Sequence, residues 1–210
     1  MEWLGVLGAV FAIFIPALIL PGPDFIAVVR SSMAHGTRHG LLTTLGVSAG
    51  LGLYASLSLL GLSAVLIEYQ WLAFALRVLG GLYLAYLGVR LLFTRPAPIE
   101  IGTVHGAQGK APLLFGFLVT LTNPKAIVLF TSVFATSVTG DMPYWVMGAM
   151  VALVVLSAGT WYTLVSLFMS SAPVIRRFSR AKHWIERAAG VCFIGIGGRI
   201  LADSRSPLAP

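Results

Sequence analysis

Apolar residues in this chain come in long runs separated by short polar stretches. Six runs can be drawn, at roughly 3–30, 41–66, 71–93, 112–138, 143–170 and 186–203. Each is close to or longer than the ~18 residues that suggest a bilayer crossing, and the sixth is the shortest. The pattern predicts an all-α integral membrane protein of six transmembrane helices, organised as one transmembrane domain over residues 1–210.

The polar stretches sharpen this picture. Connections at 31–40, 94–111 and 171–185 hold Arg38, Arg95, Lys110, Arg176, Arg177, Arg180 and Lys182, whereas those near 67–70 and 139–142 hold Glu68 and Asp141. By the positive-inside rule the three basic connections lie in the cytoplasm and both termini lie outside it. That arrangement requires an even number of spans, so charge supports six independently of hydropathy. The chain begins Met1-Glu2-Trp3, without the basic segment of a secretory signal, and its first run is expected to remain as the first span.

Composition excludes a soluble domain. Of 210 residues, 58% are hydrophobic and 10% charged, and the mean hydropathy is +0.91; soluble domains carry about 25% charged residues. The net charge of +7 sits mainly in the short connections, where it acts as a topology signal, and nucleic-acid binding is not expected. Cys192 is the single cysteine, so no disulfide or dithiol site can form within one chain, and packing is its expected role.

The two halves resemble each other. Gly22-Pro23-Asp24 in the first span corresponds to Asn123-Pro124-Lys125 in the fourth; Ser48-Ala49-Gly50 recurs as Ser157-Ala158-Gly159; and Arg77, Gly80 and Gly88 recur as Arg187, Gly190 and Gly198. These matches predict a duplicated three-span unit, one copy over about 1–93 and the other over about 112–205, joined by a Pro- and Gly-containing cytoplasmic linker at about 94–111. Because three is odd, the second copy is inverted in the membrane, as in many secondary transporters.

The candidate chemistry lies where the first and fourth spans break. Pro21 and Pro23 remove backbone donors and Gly22 adds freedom, so Pro21-Gly22-Pro23-Asp24 should interrupt the first span and start a second half-helix at Asp24. Asn123-Pro124-Lys125 should do the same in the fourth, and Asn123 is the only asparagine in the chain. A charge inside the bilayer is costly and marks a function, a buried partner or a water-filled cavity. The two breaks are expected to meet at the repeat axis, with Asp24 and Lys125 interacting across it. Freed N–H groups, half-helix dipoles and Lys125 would then hold a carboxylate, while Asp24 would bind an ammonium group or take up a proton. The bland alternative is a static Asp24–Lys125 pair that fixes packing.

Other polar residues read more simply. Arg77 and Arg30 should snorkel to the interface at the ends of their spans. His35 and His39 sit four apart beside Gly36 and Gly40, but with no third ligand near in sequence they read as a solvated loop. Gly46 and Gly50 predict close helix packing, within the chain or in a homodimer. Tyr83, Tyr86, Tyr144, Trp145, Trp161 and Tyr162 read as belt or packing residues, one of which could line a cavity. The sequence contains no H-E-x-x-H, G-x-S-x-G or P-loop, which disfavours an enzyme or an ATP-driven pump, and nothing implies a cofactor or resident metal.

On these motifs the chain resembles the lysine exporter and homoserine/threonine exporter (LysE/RhtB) family over nearly its whole length. One hallmark is Pro21-Gly22-Pro23, followed by Gly36-Thr37-Arg38-His39-Gly40 and then Gly46 and Gly50; the other is Gly116-Phe117 followed by Asn123-Pro124-Lys125. The resemblance implies a bacterial inner-membrane permease that exports amino acids or close derivatives on the proton-motive force, with Pro21, Gly22, Pro23, Asp24, Asn123, Pro124 and Lys125 at the substrate and ion site. Relatives commonly carry Pro-Gln-Phe where this chain has Ala135-Thr136-Ser137, which leaves the cargo open. Two other readings stay open beside it. One is a metal or inorganic-ion exporter on the same scaffold, for which intramembrane ligands are scarce. The other is a membrane subunit without transport activity.

Overall fold

The computed structural model describes residues 2–68, 70–94, 111–137, 142–168 and 172–203. Within these the chain is entirely helical: α1 Glu2–Ile19, α2 Pro23–His35, α3 Thr37–Glu68, α4 Gln70–Phe93, α5 Pro112–Leu121, α6 Pro124–Ser137, α7 Tyr144–Phe168 and α8 Ala172–Asp203. Both expected breaks are present. The first run divides into α1 and α2, bent by 46°, and the fourth divides into α5 and α6. The linker residues 95–110 and Asp141 lie outside the described residues, as does the side chain of Arg77.

Two expected connections are instead helix. Most of 31–40 belongs to α2 and α3, which meet at Gly36 alone. Gly36 has φ 84, which glycine adopts without strain, and its N–H donates to the Ser32 carbonyl, so one residue reverses the chain. His35 and His39 are therefore helical, with ring centroids 5.3 Å apart, rather than loop residues. Arg30 lies inside α2 instead of ending it. Likewise the basic stretch before the sixth run is the start of α8, a single helix of 32 residues. Pro173 stands in its first turn, where proline is tolerated, and no glycine interrupts it until Gly190. Basic charge marked both segments as facing water, but water and helix are compatible.

Two helices among the described residues are long and apolar enough to cross a bilayer, Thr37–Gly61 and Tyr144–Phe168; the bent α1–α2 pair makes a third. The polarity of the fold agrees with a lipid solvent. Large apolar side chains such as Leu45, Leu57, Leu60, Phe93, Trp145 and Leu156 point outward, while Asp24, Ser31, Ser32, Thr43, Thr44, Ser48, Thr120, Asn123 and Ser166 are buried. A water-soluble fold arranges these classes the other way round.

Glycines set the closest approaches. α4 packs most extensively against α8. A Cβ on Gly88 would stand 2.6 Å from the Gly190 carbonyl oxygen, and one on Gly197 2.7 Å from that of Gly81. The α3–α5 contact is equally tight: Gly46 abuts the Leu113 carbonyl and Gly116 abuts that of Thr43. Small residues let backbones approach where lipid offers no hydrophobic drive. Gly46 and Gly50 are thus occupied inside the chain, by α5, and do not form an outward dimer face.

Candidate functional site

The breaks arise because proline cannot donate. Pro21 leaves the Ala17 carbonyl at the end of α1 without its helical partner, and Gly22 enters α2 in extended conformation (φ −150, ψ −168). At the second break Asn123 caps α6, its Oδ1 accepting from the Lys125 N–H at 3.0 Å. The Leu121 carbonyl, whose helical partner would be that same N–H, accepts instead from Tyr54 Oη of α3 at 2.7 Å.

The charged side chains then cross from one break to the other. Asp24, in the first turn of α2, accepts from Thr120 Oγ1 of α5 at 3.1 Å and from Asn123 Nδ2 at 3.0 Å. Lys125, in the first turn of α6, donates through Nζ to the carbonyls of Ala17 at 2.6 Å and Leu20 at 2.9 Å. An ammonium at the C-terminal end of α1 also meets the negative end of its dipole. Asp24 and Lys125 form no ion pair with each other. Asn123 links them instead, donating to Asp24 and accepting from the Lys125 backbone. Each half-helix start thus binds the neighbourhood of the other break.

Gly22, Asp24, Asn123 and Lys125 line one cavity together with Phe14, Leu51 and Tyr162. Its volume is ≈ 20 Å³, room for about one water molecule and far too small for an amino acid. Asp24 is 6% and Asn123 3% exposed, so neither meets bulk solvent in this state. The prolines do not line the cavity: Pro23 and Pro124 are exposed and Pro21 half-buried. Pro21 follows the end of α1, and Pro23 and Pro124 are the first residues of α2 and α6. Among the described residues, no group of three His, Cys, Asp or Glu side chains could hold a metal ion.

Sequence reading missed Thr120 and Tyr54 and left Tyr162 among the belt residues. A threonine one turn before Asn123 was the available signal for Thr120. Tyr54 carries a direct test: Tyr54→Phe leaves the Leu121 carbonyl unpaired, and thermal unfolding in detergent should show a loss of about 1–3 kcal/mol. An unchanged melting curve would mean that this bond contributes nothing.

Comparison with known proteins matches this sequence to one family. The profile described as LysE type translocator covers residues 15–204, taking in both breaks. The chain is 31% identical over 193 residues to the threonine efflux protein of Escherichia coli (strain K12), covering 88% of this chain and 92% of that protein. It is 26% identical over 206 residues to the leucine efflux protein of Salmonella choleraesuis (strain SC-B67), covering 94% and 93%. An uncharacterized membrane protein of Haemophilus influenzae is 30% identical over 185 residues, covering 86% and 88%. No solved structure matches the chain. The chain therefore belongs to the LysE translocator family, whose members are transporters and not enzymes.

Proposed function

We propose that this protein is a secondary-active efflux permease of the bacterial inner membrane that exports amino acids or close derivatives, driven by the proton-motive force. The observation that carries the reading is the cavity at the two helix breaks, where a carboxylate and an ammonium, Asp24 and Lys125, face one small space without a direct ion pair. A zwitterion offers the complementary pair. Its ammonium would replace Thr120 and Asn123 at Asp24, and its carboxylate would replace the Ala17 and Leu20 carbonyls at Lys125. Efflux names among the relatives, threonine and leucine, support the cargo class.

The cavity must enlarge to admit such a substrate, and two inverted repeats supply the motion. In this reading α1–α2, α3 and α4 form one three-span unit, α5–α6, α7 and α8 the other, with both termini outside the cytoplasm. The glycine contacts support the twofold relation: Gly88 abuts Gly190, the sequence counterpart of Gly80, and Gly81 abuts Gly197, next to the counterpart of Gly88. A helix that crosses its own counterpart antiparallel in this way is what an axis in the membrane plane generates. All four side-chain bonds of Asp24 and Lys125 described above join one unit to the other, so rocking the units apart breaks them together and frees both charges for cargo. Asp24 then either holds the ammonium or carries the coupling proton.

Cells overproducing the protein and loaded with labelled amino acids, threonine and leucine first, test this. Efflux of one or a few of them should collapse with a protonophore. No efflux from cells that hold the folded protein would overturn the amino-acid reading, and efflux indifferent to the protonophore would overturn the coupling.

A further inference from the structure

Resting on the transporter reading, we infer that a hydroxyl-lined seam between α2, α3 and α7 is the substrate's route between the central cavity and the face bearing the Gly36 turn, closed here where Ser32, Gly40 and Ser166 meet. Among the described residues, apart from Thr120 and the residues of the break, the buried serines and threonines lie on these three helices: Ser31 and Ser32 on α2, Thr43, Thr44 and Ser48 on α3, and Ser166 on α7. Each helix also contributes one residue to the cavity, Asp24, Leu51 and Tyr162 respectively. Ser48 and Thr44 follow Leu51 at helical spacing on one face of α3, and Gly40 continues that face; Ser166 follows Tyr162 by one turn on α7. Every one of these steps leads from the cavity toward the α2–α3 turn.

In the opposite direction the side chains buried among the described residues are apolar. Beyond the cavity α3 buries Ala55 and Leu59, α1 buries Val10 and Ile13, and α6 and α7 bury Phe130, Val133, Met147 and Met150.

Two hydroxyls in the seam have no partner. Thr44 Oγ1 and Ser48 Oγ are fully enclosed without a hydrogen bond, although Thr44 is 1% and Ser48 4% exposed. Buried polar groups are normally satisfied, and an unmade bond is costly. Hydroxyls both donate and accept, so they can serve the ammonium and the carboxylate of a zwitterion in turn without holding either tightly. The seal at the far end is thin. Ser32 Oγ and Ser166 Oγ share a hydrogen bond of 2.9 Å, Ser166 Oγ also reaches the Thr37 carbonyl at 3.3 Å, and Gly40 fits so closely that a Cβ there would overlap both hydroxyls.

Cysteine chemistry in a Cys192→Ser background tests the route. A Ser32→Cys/Ser166→Cys pair, oxidised to a disulfide, should lose efflux and regain it on reduction; a formed cross-link with unchanged efflux overturns the proposal. In parallel, Thr44→Cys and Ser48→Cys should react with a membrane-impermeant methanethiosulfonate supplied at the face of the Gly36 turn, more slowly with threonine present, while Ala55→Cys and Leu59→Cys should not react from that side. Failure of Thr44→Cys and Ser48→Cys to react from that side in protein that still exports overturns the route and leaves the permease reading intact. Reaction at both positions in protein that exports no amino acid keeps the passage and removes the assigned cargo.

Discussion

Asp24→Ala should abolish efflux, by about 100-fold or more, equivalent to roughly 2.7 kcal/mol, while leaving the protein in the membrane. The carboxylate is 6% exposed and accepts two side-chain bonds, from Thr120 of α5 and from Asn123 at the second break. Its removal leaves Asn123 Nδ2 without an acceptor, at a cost of about 1–3 kcal/mol, but it also removes a buried charge, so the fold survives. Thr120 keeps its bond to the Gly116 carbonyl. Asp24→Asn separates the two roles of the residue. If Asp24 holds the cargo ammonium, the amide should lose exchange of labelled for unlabelled amino acid as well as net efflux. If it carries only the proton, exchange should persist while net efflux stops. Wild-type efflux by Asp24→Asn would remove the charge from the mechanism altogether.

Both helix breaks were legible in the sequence because their cause is local: a proline has no N–H, wherever it sits. Opposite charges after the two breaks pointed to a shared site, and all of Gly22, Asp24, Asn123 and Lys125 reach one cavity. Their actual partners were not legible. Lys125 bonds to backbone carbonyls of Ala17 and Leu20, and a carbonyl has no sequence signature; sequence offers only side chains as partners and so favours the charge pair that does not form. Thr120 was hidden for a related reason. A threonine in an apolar helix usually bonds back to its own helix, as Thr120 also does, and only the approach of α2 reveals its second contact.

Charge misled in another way. Arg38, Arg177 and Lys182 correctly marked segments outside the apolar runs, yet those segments are helical. Hydropathy reports which solvent a residue meets, whereas conformation is set by the backbone. Gly36, the single residue between α2 and α3, was a visible helix terminator, but the neighbouring basic residues drew it into a longer loop.

Gly46→Leu should prevent most of the protein from folding. A Cβ at this position would overlap the Leu113 carbonyl oxygen and stand 2.8 Å from the Phe117 nitrogen and 2.9 Å from the Leu113 carbonyl carbon. These obstacles are backbone atoms of α5, which no rotamer change can move, so α3 and α5 must separate. Overpacking of this kind costs typically about 1–3 kcal/mol and occasionally more, and a rigid backbone contact belongs at the upper end. Gly148→Leu is the control, because nothing stands within 4 Å of a Cβ there. Size-exclusion profiles and thermal unfolding of the two proteins in detergent should diverge, Gly46→Leu aggregated or strongly destabilised and Gly148→Leu close to wild type. Gly116→Leu should share the defect, since it meets the Thr43 carbonyl across the same contact. Any fraction that folds should also export poorly: Gly50, one turn from Gly46, seats against Thr120, with a Cβ at Gly50 only 2.8 Å from Thr120 Cβ, so prising α5 away carries Thr120 from Asp24. A Gly46→Leu protein that melts and exports like wild type would mean that α3 and α5 are not held this closely.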